Sequence, residues 1–204
     1  MPLFVIVRHG QSQWNAENRF TGNTDTPLTD LGRHEAHEAG ILLKSHQPPN
    51  FSIGFTSVLQ RAIETMSIIL DEIGQTDLPI ERSAALNERM YGDLQGMNKA
   101  EAEERFGANQ IFCWRRSYTE RPPHGETLEE TRTRVTAYFQ STILPHLKAN
   151  ESVLVVAHGN SLRALLMDLE HISPEDIEKV ELATGVPRQY HYAIETGEFQ
   201  LLPK

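Results

Sequence analysis

Apolar residues in this chain fall into two kinds of block. Leu3-Phe4-Val5-Ile6-Val7 and Val153-Leu154-Val155-Val156-Ala157 are continuous and rich in β-branched residues, which predicts buried strands. Residues 51–56 and 80–83 read as shorter strands. Residues 190–194 and 199–202 read as a hairpin turning at Thr196-Gly197. Elsewhere the apolar positions recur near helical spacing. Residues 31–44 place Ala36, Ala39, Leu42 and Leu43 on one face, with Thr29 or Asp30 as cap and Pro48-Pro49-Asn50 as breaker. Residues 57–70 carry Ala62, Ile63, Met66 and Ile69 or Leu70 as a stripe. A charged helix is predicted over 99–106 and a longer one over 126–147, with Pro145 ending its regular part. The helix over 161–169 shows Leu162, Leu165, Leu166 and Leu169 on one face. Strands alternating with helices predict an α/β fold: a single three-layer domain over residues 1–204, with a mostly parallel central sheet and helices on both faces.

Both long strands end in a His-Gly pair, Arg8-His9-Gly10 and His158-Gly159-Asn160. In open α/β sheets ligands bind outside the carboxyl ends of the strands, so the two imidazoles are expected to meet in one site. Composition narrows the ligand. The 204 residues carry a formal net charge of −9 and no Lys/Arg run. That excludes an extended basic face, and with it nucleic acid and anionic membrane as partners. Cys113 is the only cysteine, so no internal disulfide and no cysteine-based metal site is expected. No apolar run is long enough to cross a membrane, and a cytoplasmic location is expected.

Several further residues fit chemistry on a phosphate. Imidazole serves as nucleophile or donor near neutral pH, and arginine recognises phosphate and carboxylate in a fork. The polar loop 11–30 is long for a compact domain and dense in donors, with Asn15, Thr21 and Gly22 among them. Arg61 falls in the first turn of a helix, where an anion rather than a cation is favoured; a phosphate between it and His9 resolves the mismatch. Glu88 and Tyr91 lie in a non-periodic, glycine-bearing segment, and a carboxylate held among apolar neighbours can have its pKa raised and shuttle a proton. Lys99 follows on a helix. Arg115 and Arg116 are adjacent, so both face one ligand only if their segment is irregular. Each has an ordinary alternative as a solvated charge or a turn residue. His34 and His37, flanked by Glu35 and Glu38, read as a solvated helix face. His46, His124, His146, His171 and His191 form no constellation, and Cys113 reads as a small buried group.

Taken in order, the segments Arg8 to Asn15, Phe20-Thr21-Gly22, Thr56 to Ala62, Leu86 to Gly96, Lys99-Ala100-Glu101, Arg115-Arg116-Ser117 and Ala157 to Arg163 resemble the histidine phosphatase superfamily. Within it they are similar to the bisphosphoglycerate-dependent phosphoglycerate mutases. The resemblance implies His9 as the phosphoryl-accepting nucleophile. It implies Arg8, Arg61, Asn15 and His158 as ligands of the phosphoryl oxygens, and Glu88 as acid/base for the substrate hydroxyl. Thr21, Gly22, Tyr91, Lys99, Arg115, Arg116, Gly159 and Asn160 would hold the rest of a phosphoglycerate. It further implies 2,3-bisphosphoglycerate as phosphoryl primer, no metal, and small-molecule phosphoglycerates as partners; monomer or homo-oligomer stays open. A phosphatase of the same fold and a non-catalytic module are the rival readings. Gln11 stands where the family usually has Glu, Asn23 where longer mutases carry an aromatic, and residues 118–127 form a shorter connection than in larger members.

Overall fold

The computed structural model describes residues 1–46 and 50–203, so the break expected at Pro48-Pro49 lies outside the described residues. In chain order the elements are β1 (Leu3–Arg8), α1 (Gln13–Ala16), α2 (Asp30–His46), β2 (Ile53–Thr56), α3 (Gln60–Ile73), β3 (Ile80–Arg82), α4 (Lys99–Phe106), α5 (Ala108–Arg116), α6 (Leu128–Tyr138), α7 (Leu144–Lys148), β4 (Val153–Ala157), α8 (Gly159–Leu169), β5 (Arg188–Ala193) and β6 (Glu198–Leu201). The sheet order is β3-β2-β4-β1-β5-β6. Its first four strands are mutually parallel, while β5 pairs antiparallel with β1 and β6 antiparallel with β5.

Alternation along each strand divides the interior into two layers. Phe4 and Ile6 from β1 join Val153, Val155 and Ala157 from β4 on one face, under Leu162, Leu165, Leu166 and Leu169 of α8. Val5, Val7, Leu154 and Val156 point the other way, against Ala39 and Leu43 of α2 and Ala62, Met66 and Ile69 of α3. β1 and β4 are therefore buried on both sides, which is why their sequences are continuously apolar rather than alternating.

Several elements differ from expectation. Helix α3 begins at Gln60 rather than Ser57, because residues 57–59 turn off the end of β2; Asp25 Oδ1 accepts the Gln60 amide at 2.8 Å. The predicted 126–147 helix is interrupted by a π turn over Phe139–Ile143, after which α7 carries Pro145 at its start. A proline lacks an N–H and clashes with the carbonyl of the preceding turn, and the widened turn admits it where an α-helix would kink. Helix α5 was not anticipated; of its residues only Ile111 is buried. At the start of α2, Thr29 rather than Asp30 caps, its hydroxyl accepting the Gly32 amide at 3.0 Å.

The long loop after β1 is not free. Ser12 and Asn15 form a reciprocal cap on α1. Phe20 packs with Tyr91, Leu94, Ala102 and Ile111, and its amide and carbonyl bond to Met97 and Gly96. Two glycines set the loop against α2: a Cβ on Gly10 would lie 2.0 Å from the Gly32 carbonyl oxygen, and one on Gly32 2.1 Å from that of Gln11.

Candidate functional site

Register brings three strand ends together. Arg8 pairs with Ala157 and Thr56 with Val156, so His9, His158 and Ser57 leave the sheet side by side. Above them opens a cavity of about 670 Å³.

His9 and His158 face each other edge-on, with ring centroids 4.9 Å apart. His9 Nδ1 lies 2.6 Å from the Gly10 carbonyl, which can only accept; Nδ1 therefore carries the proton and Nε2 the lone pair. Arg61 Nε donates to that Nε2 at 3.2 Å. Burial first, then the charges of Arg61 and Arg8, hold the His9 pKa well below the ordinary imidazole value, against a smaller opposing effect of the Gly10 carbonyl. His158 is fully buried behind the residues that line the cavity, with Nε2 2.7 Å from Ser57 Oγ and Nδ1 unpartnered among the described residues. Burial, Arg61, His9 and Arg8 depress its pKa as well.

Arg61 is also buried. Its remaining nitrogens donate to the carbonyls of Thr24 and Gly22, each at 2.8 Å, so it is fixed by backbone rather than by a carboxylate. Burial lowers its pKa to about 10, leaving it cationic at neutral pH. Arg8 donates Nη1 to the Leu182 carbonyl at 2.7 Å, and its Nε has no partner among the described residues. The buried Thr21 hydroxyl is likewise unpartnered. An unpartnered guanidinium nitrogen and hydroxyl on residues that line a cavity suit an anionic ligand.

Glu88 differs in its setting from expectation. Its neighbours are polar rather than apolar: Oε1 accepts the amides of Arg89 at 2.8 Å and Asn160 at 3.0 Å, and Oε2 lies beside Gly159. Asn160 Nδ2 donates to the Tyr91 hydroxyl at 3.2 Å. Burial pushes the Tyr91 phenol up, but Arg89, stacked over its ring at 4.7 Å, pulls it below its ordinary value. Burial and the nearby Arg115 lower the Lys99 pKa. Asn15, Thr21, Gly22, Lys99, Arg115 and Arg116 all border the cavity. Both arginines reach it from the last turn of a regular helix; no irregular segment is needed, because long side chains at a helix end can bend to the same side. Every residue proposed from the sequence is thus gathered here, with His158 one layer deeper than the rest.

Two buried arginines went unassigned by sequence reasoning. Arg163 on α8 donates to Asn160 Oδ1 at 2.9 Å and to the carbonyls of Ile177 and Arg116. Arg89 donates to the carbonyls of Trp114 and Arg115. Together they satisfy the carbonyls at the end of α5 and fix the segment bearing Arg115 and Arg116. Arg163 within an otherwise apolar helix face was the available signal. Cys113 is only partly buried. His34 and His37 are exposed, as a solvated face requires.

A parallel sheet with two apposed histidines and arginines at its carboxyl edge is an apparatus for holding and transferring a phosphoryl group. The chain belongs to the histidine phosphatase superfamily: the branch 1 pattern matches residues 4–202. It is 61% identical over 193 residues to a 2,3-bisphosphoglycerate-dependent phosphoglycerate mutase of Cytophaga hutchinsonii, covering 95% of this chain and 89% of that one. It is 53% identical over 189 residues to a phosphoglycerate mutase of Schizosaccharomyces pombe, covering 93% and 89%. Among solved structures, a mycobacterial glucosyl-3-phosphoglycerate phosphatase complexed with VO3 superimposes with a TM-score of 0.83 at 25% identity, covering 100% of this chain and 99% of that one.

Proposed function

We propose that this protein interconverts 3-phosphoglycerate and 2-phosphoglycerate through a phosphohistidine at His9, in the cytoplasm, on free small-molecule substrates. The observation that carries this reading is how many cations line one cavity: Arg8 and Arg61 beside His9, with Lys99, Arg115 and Arg116, the last of them paired with Glu181. His9 Nε2 accepts from Arg61, and Lys99 and Arg115 add positive charge to the same cavity that a phosphoryl group alone does not require. The names of the relatives at 50–61% identity agree with it.

His9 is held neutral, so its Nε2 lone pair can attack phosphorus while Nδ1–H to Gly10 keeps the ring oriented. The arginines hold the transferring oxygens and neutralise the charge that builds on them. Asn15 adds an amide donor from the cavity wall, and His158 packs edge-on against His9 one layer deeper. Glu88 takes the proton from the substrate hydroxyl as the phosphoryl group leaves His9, and returns a proton to the oxygen whose phosphoryl group His9 takes back. Thr21 and Gly22, with Tyr91, Gly159 and Asn160, orient the three-carbon acid, while Lys99, Arg115 and Arg116 hold its carboxylate. The unpartnered Arg8 Nε and Thr21 hydroxyl, with the positive charge of Lys99 and Arg115, fit a 2,3-bisphosphoglycerate primer. When bound, that primer supplies the phosphoryl group that charges His9.

An enolase-coupled assay tests the reading. Conversion should depend on added primer and exceed release of inorganic phosphate by a wide margin, and His9→Ala should abolish both conversion and the acid-labile adduct. Mostly free phosphate would instead assign the chain to the phosphatases of the superfamily. Failure of the native chain to form any adduct would favour a non-catalytic module.

A further inference from the structure

Glu88 lies in a stretch, residues 88–91, that has no regular secondary structure. Open space flanks this stretch on two sides. The large cavity lies on one; a second cavity of about 460 Å³, bordered by Met90, Glu126, Arg134 and Glu88 itself, lies on the other. No helix or sheet ladder fixes the stretch; Asn160 holds the Glu88 carboxylate and the Tyr91 hydroxyl, and the main chain between them depends on the side chains that grip it.

Gln95 Oε1 takes the Tyr91 amide at 3.0 Å, and the main chain at Glu88 and Met90 is gripped by one ion pair. Arg134 on α6 forks onto Glu126, with Nε to Oε1 at 2.8 Å and Nη2 to Oε2 at 3.1 Å. The same guanidinium donates to the carbonyls of Ala85 at 2.7 Å and Glu88 at 3.3 Å. Glu126 Oε2 accepts the Met90 amide at 3.2 Å, and the Glu126 amide donates to the Met90 carbonyl at 2.8 Å. The chain before, at and after Glu88 is thus tied to a single pair whose side chains are 26% and 16% exposed. A bidentate fork fixes orientation as well as distance, which a lysine in place of the arginine cannot reproduce.

We infer that the Arg134–Glu126 pair positions Glu88 for proton transfer, setting the carboxylate at the height of the substrate oxygen. Neither residue lines the large cavity, so both are positioning residues. The inference rests on the assignment of Glu88 as the proton-transfer group. It has a consequence that a purely structural brace would not have: a displaced acid/base slows the steps that need a proton and spares those that do not. Phosphoryl transfer between His9 and phosphoglycerate makes or breaks a bond to an alkoxide oxygen, which needs one. With acetyl phosphate, His9 Nε2 attacks phosphorus, the bond from phosphorus to the acyl oxygen breaks, and acetate leaves with the electron pair, needing none.

The test compares full-length Glu88→Gln, Glu126→Gln, Arg134→Lys and Arg134→Met. Two rates are read: primed mutase kcat and KM, and acid-labile phosphohistidine formation from acetyl phosphate. Glu126→Gln and Arg134→Met are expected to lower kcat about 10–100-fold with KM within about threefold, and to leave adduct formation within about threefold. Arg134→Lys should fall between these and the native chain. If Arg134→Met does not fold, Glu126→Gln and Arg134→Lys carry the comparison. Equal losses of both rates, or no loss of either, while Glu88→Gln separates them, would overturn the inference and leave Glu88 in its role. If Glu88→Gln itself slows both alike, the assignment of Glu88 fails and the inference with it.

Discussion

At His9 the decisive matter is which ring nitrogen carries the proton. The Gly10 carbonyl places it on Nδ1, and burial with two guanidinium groups keeps Nε2 bare. A nucleophile of this kind should work at pH values where a free imidazole is already protonated. The acid limb of kcat/KM is therefore expected well below pH 6.5, the ordinary value. Arg61→Gln removes a charge that depresses this pKa, so the limb should move up, and kcat should fall about 10²-fold or more with one oxyanion donor gone. A pH–rate profile of both proteins checks the sign, and an unmoved limb would show that Arg61 does not set the nucleophile's charge state. Lys99 and Arg115 line the same cavity, and the proposed reading gives them the substrate carboxylate. Replacing Arg115 with Ala should cost about 1.5–3 kcal/mol in kcat/KM, mainly as a raised KM, because a charged hydrogen bond to bound substrate is lost. Steady-state kinetics with 3-phosphoglycerate would show the split.

The same site depends on how tightly its elements approach one another. The end of β1 meets α2 through two glycines, and neither has room for a methyl group against the opposing backbone. Gly10→Ala should destabilise by about 1–3 kcal/mol, the usual range for overpacking, and should also slow adduct formation because His9 is the adjacent residue. On the other face of the sheet Leu166 of α8 is fully buried against the strands. Leu166→Ala leaves a cavity and should cost about 2–5 kcal/mol while sparing KM. Urea unfolding alongside kinetics separates the two variants: both lose stability, but only Gly10→Ala perturbs chemistry. The π turn belongs to this scale too. Proline chemistry at position 145 was visible in the sequence, yet it widens a turn rather than ending the helix, since Phe139 and Ile143 on that turn are held in the core.

In the whole molecule, two neutral buried imidazoles make stability depend on pH. Both His9 and His158 have pKa values depressed in the fold. Above the unfolded value of about 6.5 both states are neutral and the difference vanishes. As pH falls below it, the unfolded chain takes up protons that the fold refuses, so stability is lost toward the depressed values, at about 1.4 kcal/mol per pH unit for each histidine. Thermal melts between pH 7 and 5 should show this slope, and His158→Asn should reduce it; a slope the substitution leaves unchanged would mean that His158 binds protons equally in the folded and unfolded chain. The sequence by itself determined the buried strands, the helix periodicity and the residue types of a phosphoryl-transfer site, because apolar runs and the His-Gly strand ends are local patterns. The cap of α5 by Arg89 and Arg163, the brace of Glu88 by Arg134 and Glu126, and the depth of His158 were decided only by tertiary structure. A buried arginine and a solvated one read alike along a chain; what separates them is which distant carbonyls and carboxylates the fold brings within 3 Å or so, and long-range packing alone sets that.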